Sequence, residues 1–134
     1  MTPPTSTSWA CRLSLFAGGL DTCTGLGLVF LPGLVLPLMR VPLPTGDGLV
    51  YLRFVGAFVA AVGATYLWAL AAPRERLRVV LGATVLFRLA AGAYSLSAVV
   101  GGQLGPAWVS VPATDFALVI AQLWLLSKGA GRHE

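Results

Sequence analysis

Four charged side chains interrupt long apolar stretches of this chain: Asp21, Arg53, Arg88 and Asp115. An ion at the centre of a helix in hydrocarbon costs roughly 2.5 to 3.5 kcal/mol on insertion scales, so such residues turn inward, pair, or mark a pathway. A carboxylate beside a guanidinium could hold a lipid headgroup, a quinone, a small anion or a proton. The same residues could equally fix helix register: losing one partner of a buried pair is severe, whereas replacing both is cheap.

Other chemistry is absent from the pattern. Cys11 and Cys23 are twelve residues apart on one apolar segment, about 18 Å along a helix, far beyond the ~7 Å Cα separation a disulfide tolerates. There is no CxxC motif, which argues against thiol–disulfide exchange. The single histidine, His133, lies past the last apolar segment, and Met39 and Met1 supply no ligand at membrane depth, so no protein-ligated metal or haem is expected. The glycines form no phosphate-binding loop or dinucleotide fingerprint. No catalytic residue is assigned, and no activity is expected of the chain on its own.

The elements that must carry the charges follow from composition. The chain has 134 residues, 57% hydrophobic and 10% charged, with mean hydropathy +0.83; a soluble domain carries about 25% charged residues. Four apolar segments, residues 9–31, 48–72, 77–100 and 107–126, each approach the ~20 residues that cross a ~30 Å hydrocarbon layer. The predicted fold is therefore all-α: a single membrane domain, residues 1–134, forming a four-helix up-down bundle. Barrel strands would be half as long and alternate in polarity.

Pro73-Arg74-Glu75-Arg76-Leu77-Arg78 between segments two and three, with Arg12, Lys128 and Arg132 near the termini, outweighs Arg40 on the other side. Both termini are therefore expected in the cytoplasm. The first segment lacks a basic n-region and is broken by Gly18-Gly19-Leu20-Asp21, so it is expected to be retained rather than cleaved. The net charge of +4 is spread over segment ends rather than gathered into a patch, which argues against nucleic acid. Residues 32–47 form an apolar connector with Pro32, Pro37, Pro42 and Pro44. They are expected to lie in or on the outer interface as a short helical or extended lid. Trp9, Tyr51, Trp68, Trp108 and Trp124 fall where aromatic belts do.

Counting ~1.5 Å per residue from segment midpoints puts Asp21 and Arg88 near the midplane, Asp115 slightly outward and Arg53 two turns outward. Residues three or four apart share a face. Ser14, Gly18, Asp21 and Gly25 form one inward stripe; Arg53, Gly56, Ala60 and Ala64 a second; Thr84, Arg88, Gly92 and Ser95 a third; Asp115, Leu118 and Gln122 a fourth. Gly18, Gly25, Gly56, Ala60 and Gly92 are expected packing positions, since small residues let helices approach closely. Thr84, Ser95 and Gln122 would line any cavity. Depth suggests Asp21 pairs with Arg88 and Asp115 with Arg53, two acids balanced by two bases, although the partners could be exchanged.

With four helices, the proline-marked connector, Leu52-Arg53-Phe54-Val55-Gly56-Ala57 and Phe87-Arg88-Leu89-Ala90-Ala91-Gly92, nearly the whole chain resembles the DoxX-like group of small bacterial membrane proteins. The resemblance implies a four-helix bundle in a bacterial cytoplasmic (inner) membrane. Some relatives are linked to quinone-coupled sulfur oxidation and others to membrane complexes that handle oxidative stress. The leading expectation is a non-catalytic accessory or structural subunit of a larger membrane complex, respiratory or otherwise electron-transferring, whose partners are membrane lipids and other membrane subunits. The alternative is a protein binding lipid or quinone in support of a redox enzyme. A small transporter is the least favoured, because balanced charges leave no free carboxylate as a proton handle.

Overall fold

A computed structural model describes residues 5–130, the Arg74 side chain excepted. The readings placed on Met1, Arg132 and His133 lie outside the described residues. The described chain is all-helical, and four of its helices are long and apolar enough to cross a membrane.

Helix α1, Ser6–Phe30, starts three residues earlier than the apolar run. Thr5 is its cap: the Thr5 hydroxyl accepts from the Ser8 amide at 3.3 Å, satisfying one of the donors a helix start leaves open. The connector contains a short helix, α2, Pro32–Leu38, with proline at its first position, where no amide donor is missed. Helix α3 spans Asp47–Ala69, α4 spans Pro73–Val100, and α5 spans Ser110–Ser127 after one 3-10 turn at Pro106–Val109. The arginine-rich stretch read as a link is helical. Pro73 presets the first turn of α4 and Glu75 favours its positive end, so the true link is only residues 70–72.

Three helix ends close in the same way, with one residue in the left-handed region and a 6→1 amide bond. At the end of α4, Gly102 has φ 73° and the Gln103 amide reaches Ala98 O at 2.9 Å. At the end of α5, Gly129 has φ 83° and the Ala130 amide reaches Leu125 O at 3.1 Å. At the end of α2 this position is Arg40, φ 59°, with the Val41 amide on Leu36 O at 2.9 Å. Glycine normally occupies such a cap, because a Cβ is strained there.

The closest helix pair is α1 with α3, followed by α4 with α5. Gly18 and Gly25 of α1 oppose Gly63 and Gly56 of antiparallel α3. A Cβ on Gly25 would lie 2.3 Å from Ala60 N, and one on Gly63 would lie 2.4 Å from Thr22 N. The seven-residue spacing on both helices makes this a backbone-to-backbone seam. Gly92 lets α4 approach α5, where a Cβ would be 3.3 Å from that of Asp115.

One apolar core lies toward the end of the bundle holding Ser6, Ala69, Pro73 and Ser127, and includes Ala17, Tyr66, Leu77, Leu81, Leu118 and Leu125. At the other end α2 folds over the bundle: Leu36 and Val41 pack with Leu28, Leu52, Ala107 and Trp108. The outward surface is rich in large apolar side chains, among them Phe16, Phe30, Leu86, Val100 and Ile120, as a lipid-facing surface requires. At the arginine-rich end Arg12 stands over the ring of Trp9 at 5.2 Å and Arg76 over that of Trp68 at 4.2 Å. There each cation also covers aromatic surface.

Candidate functional site: a polar centre shared by four helices

Arg88 occupies the middle of the bundle and is 4% exposed. Its position on α4, near the helix midpoint, leaves no route for the stem to reach either end, so each donor must find a partner inside. Nη1 donates to Asp115 Oδ1 of α5 at 2.7 Å, Nη2 donates to Asp21 Oδ2 of α1, and Nε donates to the Tyr66 hydroxyl of α3 at 3.0 Å. One guanidinium thus ties α4 to the three other spanning helices. Its planar fork suits this task where an ammonium would not, because the donors diverge in fixed directions.

The network extends toward the arginine-rich end. Gln122 of α5 is fully buried, and its Nε2 donates to the same Tyr66 hydroxyl and, at 3.4 Å, to Thr84 Oγ1. Thr84 in turn donates to Val80 O of its own helix at 2.7 Å. Among the described residues Gln122 Oε1, Ser14 Oγ and Thr22 Oγ1 are buried without a hydrogen-bond partner.

Of the residues singled out from sequence, Asp21, Arg88, Asp115, Thr84 and Gln122 come together, whereas Ser95 bonds back to Ala91 O at 2.8 Å and stays apart. The expected Asp115–Arg53 pair does not form. Arg53 is exposed and has no ion-pair partner among the described residues. The physical reason is the glycine seam: α1 selects Gly56 and Gly63 as the inward face of α3, and at 100° per residue this leaves Arg53 about 60 to 80° round the helix. Ala64, read as inward, is exposed for the same reason. The anticipated balance of two acids and two bases is therefore replaced by two acids around one base.

Tyr66 was not foreseen from the sequence. The available signal was its position three residues after Gly63 and ten after Gly56, together with the need of a phenol at membrane depth for a polar partner. No three of His, Cys, Asp and Glu gather as a metal-ligand set among the described residues. Two grooves lie at the periphery of the bundle, away from Arg88. One, about 500 Å³, is lined by Thr5, Ser8, Cys11, Pro73 and Glu75; the other, about 320 Å³, by Trp9, Arg12, Phe16 and Trp124.

Fold and site together define a membrane-type four-helix bundle around a polar knot held by protein donors and acceptors. Compared with protein-family models, curated proteins and solved structures, the chain finds no match.

Proposed function

We propose that this protein is a non-catalytic integral membrane subunit that packs against another membrane polypeptide of a larger assembly. The observation that carries this reading is the outward face of α3. Arg53, Ala57, Ala61 and Thr65 follow one another at four-residue intervals, all exposed, with Ala64 beside them. Small residues against lipid forgo the contacts that large ones make, but against another helix they permit close approach. An exposed Arg53 at one end of the stripe suits a partner helix bearing a carboxylate at matching depth. The finer reading is an electron-transfer assembly of a bacterial cytoplasmic membrane, with the arginine-rich end in the cytoplasm; it is supported by the DoxX-like resemblance and the basic bias.

The test is purification in mild detergent with quantification of any stoichiometric companion. The expected result is a defined companion whose yield falls sharply in Ala61→Leu and Arg53→Leu, with melting of the chain itself unchanged. A lone monodisperse protein, or a companion indifferent to both substitutions, would count against the reading.

A second reading, lipid binding, is favoured by the groove between α1 and α5. Its walls are mostly apolar, with Trp9, Phe16 and Trp124, and include Arg12, which suits one acyl chain with an anionic headgroup. Lipid retained through purification should be depleted by Ala121→Leu if the groove holds it.

A further inference from the structure

The polar knot has an odd formal charge. Around it stand Asp21 from α1, Tyr66 from α3, Arg88 from α4 and Asp115 from α5, while α2 has no titratable residue and Arg53 faces outward. With both carboxylates ionised the cluster carries one net negative charge; with one protonated it is neutral. An uncompensated charge in a low-dielectric bundle is expensive, and two carboxylates sharing one site titrate as a unit.

The geometry provides a place for the balancing proton. Each carboxylate gives one oxygen to Arg88, and the other oxygen of each accepts nothing from the described residues. The two aspartate side chains are 12% and 13% exposed while that of Arg88 is 4% exposed. The guanidinium is more fully enclosed than the two carboxylates. The phenol of Tyr66 is occupied as an acceptor by Arg88 and Gln122, so the unbonded carboxylate oxygens are where a proton can add.

We propose that Asp21 and Asp115 share one exchangeable proton, so that the centre of the bundle is a proton-binding site. In the exchange a hydronium ion gives its proton to an oxygen that Arg88 does not hold: one O–H bond of hydronium breaks, one forms on the carboxyl group, water leaves, and the cluster passes from −1 to neutral. Release reverses the step, with no redox change. The proposal stands independently of the subunit reading.

The experiment is infrared difference spectroscopy of the full chain in lipid nanodiscs, titrated from mildly acidic to mildly alkaline pH and following the C=O stretch of protonated carboxyl groups. The expected result is one carboxyl band, equivalent to one proton per chain, that disappears as pH rises. Asp21→Asn and Asp115→Asn should each abolish it, because either leaves one acid for one base, whereas Asp47→Asn should not. Absence of a titrating band in the unsubstituted protein would overturn the proposal, even if neither variant folds. A band that no pH removes, or one that survives both substitutions, would overturn it too.

Discussion

Replacing Gly25 by alanine tests the seam that orients everything else. In an open helix this substitution is favourable by about 1 kcal/mol, because glycine is the poorer helix former. At position 25 the added methyl would sit 2.3 Å from Ala60 N, 2.5 Å from Gly56 O and 2.8 Å from Ala60 Cα. All three obstacles are backbone, so no rotamer change relieves them, and α1 and α3 must move apart by about 1 Å or more to restore ordinary contact. Overpacking of this kind costs about 1 to 3 kcal/mol, occasionally more, and the upper part of that range should more than offset the propensity gain. Gly19, six residues earlier, is the control, since a Cβ there meets nothing within 4 Å. Unfolding followed by helical signal in mixed micelles should show Gly25→Ala less stable than the parent and Gly19→Ala equal or more stable. Equal stability of the two variants would refute the close approach of α1 and α3.

The same assay checks two further substitutions. Tyr66→Phe removes the acceptor of Arg88 Nε, which Gln122 Nε2 shares, and should cost about 1 to 3 kcal/mol, the penalty of an unsatisfied buried donor; no loss would mean that Nε has another partner. Arg40→Gly relieves a left-handed residue at the end of α2 and should stabilise the protein by about 1 kcal/mol. Destabilisation would show that the arginine side chain itself holds the α2 cap in place.

Much of this architecture was legible in the chain because hydrocarbon imposes simple rules. Length and apolarity locate the four spans, and the central placement of Arg88 follows from counting residues. The glycines of α1 were readable as packing positions, yet the partner face of α3 was not. Arg53 and Gly56 share a stripe as plausibly as Gly56 and Gly63 do, and only the seven-residue match to Gly18 and Gly25 decides between them. That choice turns Arg53 outward and Tyr66 inward, and so changes the central charge from balanced to odd. The boundary of α4 was missed because an arginine-rich run reads as a loop, whereas Pro73 and Glu75 make it a helix start.

The claim that Arg88 joins the four spanning helices is tested most directly by comparing Arg88→Met with the triple variant Asp21→Asn, Arg88→Met and Asp115→Asn. Removing the guanidinium alone leaves the buried aspartate pair without its cation and should cost about 3 to 5 kcal/mol, whereas neutralising all three groups should restore at least half of that loss. A harmless Arg88→Met, or a triple variant no more stable than the single one, would contradict the account.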